Sequence, residues 1–194
     1  MKKIAFLFSI LLSTLTFAQE EGKFRVGLDL GYAITSDGGN GVSIYLEPMY
    51  NIKDNINVGV RIGTPILVKK INFLDGETNE TTGNTNISFL ATLDYYFNKI
   101  NSSFIPFVGG GLGYASIANV SYEPFSNIDN KAEYIGKING MIRGGFEWKK
   151  LRFSIDYNFI PKSDFIDVNN DEIGDSKNSY FAFNLGFFVG GGKW

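Results

Sequence analysis

The feature that most constrains this chain is a period of two that recurs along nearly its whole length. Phe24, Val26, Leu28, Leu30, Tyr32 and Ile34 alternate with Lys23, Arg25, Gly27, Asp29, Gly31 and Ala33. In an extended chain successive side chains point to opposite faces, so each set shares one face. The same alternation returns at Val42 to Asn51, Ile56 to about Lys69, Asn86 to Phe97 and Phe104 to Ala115, and again at Tyr134 to Trp148, Leu151 to Phe159 and Tyr180 to Val189. No segment sustains the i, i+3, i+4 spacing of an amphipathic helix. The spacing therefore predicts eight antiparallel strands, with Pro106 as the weak point of the fifth because proline cannot donate to a ladder.

The links between these strands alternate in length. Short ones lie at Asn51 to Asn55, Asn98 to Ser103 and Lys149 to Lys150, whereas Lys70 to Thr85, Ser116 to Glu133 and Pro161 to Ser179 are long and polar. Thr35 to Gly41 is the shortest link of the second set. An even strand number with tight turns at one end and long loops at the other is the pattern of a transmembrane β-barrel.

Charge distribution chooses between a wet and a lipid exterior. Arg25, Asp29, Glu47, Arg61, Asp94, Lys137, Arg143, Glu147, Arg152 and Asp156 all fall on the small-or-polar face, and the apolar face carries none. Eight strands enclose only a narrow packed interior. Phe, Leu, Ile, Tyr and Trp from every strand would overfill it, whereas glycine, serine, asparagine, alanine and a few charges fit. The apolar face therefore points out into lipid. Phe24, Tyr50, Phe97, Phe104 and Trp148 gather near the short-turn ends, and Tyr32, Tyr114, Tyr134, Phe159 and Phe181 near the long-loop ends. That is the arrangement of two interfacial aromatic girdles.

Counting from the short-turn end puts Asp29, Glu47, Arg61, Asp94, Arg143 and Asp156 in a middle layer of the lumen, with Arg25, Glu147 and Arg152 lower. Four arginines nearly balance five carboxylates, as a low-dielectric interior demands. This network is the candidate site, read as a structural plug; the alternative is a gate in a narrow channel for ions or small solutes, since rings of charge also set selectivity.

The N-terminus fits export. Lys2 and Lys3 precede an apolar run from Ile4 to Leu15, and Thr16 and Ala18 suit cleavage before Gln19. The expected organisation is a signal peptide over 1–18 and one barrel domain over 19–194. Losing Lys2 and Lys3 tips the 18 basic residues further below the 20 acidic ones, and no nucleic-acid footprint is visible. The absence of cysteine excludes disulfides, thiolate metal sites and a lipidated cysteine.

Motif searches mostly exclude chemistry. Gly109 to Gly113 lacks the third glycine of a dinucleotide loop, because Tyr114 stands there and no helix follows. Asp167, Asn169 and Asp171 open like a calcium loop, but Glu172 replaces its turn glycine and Asn178 its bidentate glutamate. A chain with neither His nor Cys cannot build Ser-His, Cys-His or His-metal machinery, so no enzyme activity and no cofactor is expected.

The run Pro106 to Ala115, Pro-Phe-Val-Gly-Gly-Gly-Leu-Gly-Tyr-Ala, resembles the fifth-strand segment of small eight-stranded outer-membrane barrels of the OmpA, OmpX and OmpW type. The resemblance spans about Gly22 to Trp194. It implies an all-β, eight-stranded antiparallel up-and-down transmembrane barrel in the outer membrane of a Gram-negative cell. Its implied partners are outer-membrane lipid, periplasmic chaperones and the barrel-insertion machinery, with an extracellular ligand met through the loops. The family's terminal aromatic signal for insertion is matched by Trp194, which is out of phase with the outward set of the last strand. The implied role is structural or surface-interacting, and the rival to a membrane barrel is a soluble periplasmic ligand-binding barrel with an apolar interior.

Overall fold

The computed structural model describes residues 20–36, 38–73, 78–85, 87–97, 104–119, 133–166 and 172–191. The expected signal peptide, Trp194 and the segment with Asp167, Asn169 and Asp171 lie outside them. Eight strands form the barrel wall: β1 (Phe24–Thr35), β2 (Asn40–Lys53), β3 (Ile56–Phe73), β5 (Ile87–Tyr96), β6 (Phe104–Asn119), β7 (Glu133–Trp148), β8 (Leu151–Phe159) and β11 (Tyr180–Gly190). Each pairs antiparallel with its neighbour in sequence, and β11 returns to β1 with Leu30 opposite Leu185, so the sheet closes on itself. Closure removes the free edges that could not exist in hydrocarbon.

Three short strands extend the wall at the long-loop end. β4 (Thr78–Thr85) pairs with the top of β3, and β9 (Ser163–Ile166) and β10 (Glu172–Ser176) form a hairpin that docks on the tip of β3. The long links after β3 and β8 are therefore partly strand. β4 reads Thr-Asn-Glu-Thr-Thr-Gly-Asn-Thr, with no apolar alternation to mark it. Ladder pairing to β3 holds it, so its sequence needs no apolar face.

Accessibility alternates as the pattern requires. β5 runs exposed, buried, exposed without a break, and Leu112, Ile142 and Leu185 lie at 72%, 58% and 50% exposure on the outer face. Arg25 and Glu47 are at 0% on the inner one. A soluble barrel with an apolar pocket needs the reverse. The described girdle residues all point outward, with Phe24 opposite Tyr50 and Phe104 opposite Trp148 at the short-turn end.

The lumen corrects one expectation. It is not filled by small residues and charges alone, because Tyr45, Met49, Leu90, Tyr96, Phe107, Tyr180 and Phe188 are buried there too. Glycine on neighbouring strands makes the room. A Cβ at Gly63 would collide with the Tyr45 ring, and one at Gly109 with the Asp94 carboxylate.

Turn chemistry fixes both ends of the last hairpins. Lys149, with φ of 56°, turns β7 into β8, as a two-residue hairpin demands of one of its central residues. Gly190 and Gly191 have φ of 89° and 92°, and the Gly191 carbonyl accepts from Glu20 N at 2.7 Å and Asn51 Nδ2 at 3.2 Å. The chain thus leaves the ladder there.

Candidate functional site

All nine charged residues of the expected network line the lumen, each no more than 4% exposed, whereas Lys137, the tenth charge of that face, is only partly buried. β1 contributes Arg25 and Asp29, β2 Glu47, β3 Arg61, β5 Asp94, β7 Arg143 and Glu147, and β8 Arg152 and Asp156. They meet because all occupy the inward phase of their strands.

Arg143 forms the hub of the larger group. Its Nε and Nη2 donate to Asp94 Oδ1 and Oδ2 at 2.7 and 2.6 Å, and its Nη1 and Nη2 donate to Glu47 Oε2 and Oε1 at 2.8 and 2.6 Å. Such two-pronged geometry is the strongest that guanidinium and carboxylate make. Arg152 extends the chain, donating to Glu47 Oε2 at 3.2 Å and through Nε and Nη2 to Glu147 Oε1 at 3.0 and 2.9 Å. Arg25 closes it, with Nη1 donating to Glu147 Oε2 at 3.0 Å.

Uncharged side chains finish this inner group. Tyr96 donates to Glu147 Oε1 at 2.8 Å while accepting from Arg152 Nη2 at 2.8 Å and from Arg25. Thr92 donates to Glu47 Oε1 at 2.7 Å. The guanidiniums of Arg25 and Arg152 lie 4.6 Å over the Phe188 ring and 5.2 Å over that of Phe107. With its amide set to match its neighbours, Asn57 accepts from Arg25 Nε at 3.2 Å and donates to Asn51 Oδ1 at 2.9 Å.

The outer group is smaller. Arg61 Nη2 stands 2.9 Å from Asp156 Oδ2 and 3.6 Å from Asp29 Oδ2, its guanidinium 3.9 Å above the Tyr45 ring. Asp156 also accepts from Ser154 Oγ at 2.8 Å and Asn184 Nδ2 at 2.7 Å. Beyond it the hydroxyls of Tyr45 and Tyr180 are hydrogen-bonded at 2.8 Å. Tyr180 packs with Ala33, Leu67, Ala115, Ile160 and Ala182 into an apolar cluster toward the long-loop end.

The middle layer expected from residue counting is thus divided. Glu47, Asp94 and Arg143 belong with the lower Arg25, Glu147 and Arg152, while Asp29, Arg61 and Asp156 stand apart. Arg143 lies directly opposite Asp156 in register, yet turns to Asp94, two strands away over Gly109, and reaches across the lumen to Glu47. Tyr96, Thr92 and Asn57 were missed as network members, although their inward phase was visible in the alternation. No group of three or more acidic side chains suited to a metal ion occurs among the described residues.

Comparison with known proteins agrees with this architecture. Residues 4–192 match the model of a family described as "Outer membrane protein beta-barrel domain". No curated protein matches the chain in sequence. Among solved structures, Neisserial surface protein A (NspA) superposes with a TM-score of 0.58 at 19% identity, over 87% of this chain and 99% of its own. The outer membrane protein OprG from Pseudomonas aeruginosa gives 0.55 at 11% identity, over 89% and 98%. The outer membrane enzyme PagL gives 0.47 at 12% identity, over 84% and 98%.

Proposed function

Because the chain belongs to the outer membrane protein beta-barrel domain family, we propose that it is an integral outer-membrane protein with a structural or surface-interaction role and a lumen closed to solutes. The observation that carries this reading is the inner ion-pair network. Its three guanidiniums and three carboxylates are bonded to one another across the bore, none more than 4% exposed. Eight strands leave little room for an aqueous path beside them.

With the bore closed, interaction falls to the long links between β3 and β5, β6 and β7, and β8 and β11, which stand outside the cell if the short turns are periplasmic. The partners in this reading are outer-membrane lipid around the apolar belt, chaperones and the insertion machinery during export through a cleaved signal peptide, and an extracellular ligand at the loops. The chain is read as non-enzymatic, since it carries no His or Cys with which to activate a nucleophile.

Protease treatment of intact cells, followed by fractionation, tests the topology. The expected result is cleavage confined to the long links, with the barrel recovered in the membrane fraction. Recovery in the soluble periplasm, or cleavage at the short turns from outside, would overturn it.

A further inference from the structure

Of the eight wall strands described, β11 and β1 are the neighbours that do not follow one another along the chain, so hydrogen bonds and side-chain packing alone hold them together. Parting a strand pair within hydrocarbon leaves backbone groups with no partner. Opening of that seam therefore starts at an end, where water can take over the freed groups. The two ends are fastened differently.

At the long-loop end Ser36 N and Oγ both donate to Ser179 O, at 3.0 and 2.9 Å. At the short-turn end the residues before β1, the end of β2 and the β7–β8 turn all converge on the tip of β11. Residues Glu20–Lys23 fold back from β1, with Lys23 N donating to Glu20 O at 3.2 Å. Gly22, at φ of 77°, takes the third place of this turn, where a positive φ favours glycine. The turn carries Glu20 N to Gly191 O at 2.7 Å, while Gly191 N donates to Phe24 O at 3.1 Å and Lys150 Nζ to Gly190 O at 3.0 Å.

Asn51, buried although it stands near the end of β2, joins these pieces. Its Nδ2 donates to Glu20 O at 3.0 Å and to Gly191 O at 3.2 Å, and its backbone holds the turn through Gly22 N at 2.8 Å and Lys23 O at 2.9 Å. Its Oδ1 accepts from Asn57, which accepts in turn from Arg25, so the clasp rests on the inner ion-pair group. The ladder itself does not need the clasp, since β1 and β11 pair from Arg25–Gly190 to Thr35–Tyr180 without it. We propose that residues Glu20–Lys23, held by Asn51, are a latch on the β1–β11 seam that sets how readily the barrel wall opens between its first and last strands.

Hydrogen exchange at single amides of the folded barrel in lipid nanodiscs tests this. Asn51→Ala should speed exchange about tenfold, the effect of one or two lost hydrogen bonds on a local opening, at the seam pairs Val26–Val189 and Leu28–Phe187. The β6–β7 pairs, such as Gly110–Ile142, should exchange as in the wild type. Gly22→Ala removes no wall residue and acts through the strained φ, because a Cβ there meets nothing closer than the Tyr50 hydroxyl at 3.8 Å. It should reproduce the seam-confined change, and it carries the test even where Asn51→Ala does not refold. Unchanged exchange at the seam, or acceleration shared equally by β6–β7, would overturn the inference.

Discussion

Arg143 and Arg61 are both buried, both inward-facing and each close to two carboxylates, yet their surroundings differ. Arg143 donates four hydrogen bonds, two to each carboxylate, and those carboxylates are tied onward through Arg152 to Glu147 and Arg25. Arg61 faces Asp29 and Asp156 without a single well-aligned bond to either, and Asp156 is held mainly by Ser154 and Asn184. The inner half balances three guanidiniums against three carboxylates, while the outer half sets one against two. Similar residue types therefore give a cross-linked seal at one end of the lumen and a loosely bonded compartment at the other.

The largest effect should come from breaking the seal. Arg143→Met leaves Glu47 and Asp94 buried without their main partner and should cost about 3–5 kcal/mol. Arg61→Met should cost about 1–3 kcal/mol, since Asp156 keeps two other donors. Urea titration of the refolded barrel in lipid vesicles measures both, and equal losses would break the distinction. A smaller contrast tests the tyrosines. Tyr96→Phe strands two guanidinium donors and one carboxylate and should cost about 1–3 kcal/mol. Tyr180→Phe removes one neutral pair and should cost about 0.5–1.5 kcal/mol.

The strands and the inward placement of the charges were legible because period-two alternation needs only neighbours in sequence. The inward placement of all nine network charges follows from phase alone. Which arginine meets which carboxylate does not, because contacts across the bore depend on strand stagger and side-chain reach. Arg143 shows this, passing over Asp156 on the adjacent strand for Asp94, two strands away beyond Gly109, and for Glu47 on the far wall. Tyr96 was read only as a member of the inner face, since nothing local shows that its hydroxyl ends among Arg25, Arg152 and Glu147. β4 left no trace because a strand of polar residues carries no alternation.

The closed lumen is the central claim, and planar-bilayer recording of the purified barrel tests it most directly. The wild-type protein should be silent under applied voltage, with any current appearing only when Arg143→Ala opens the inner network. A steady conductance from the wild type, reduced by Arg61→Ala or Arg143→Ala, would contradict the account and make the same residues the walls of a channel.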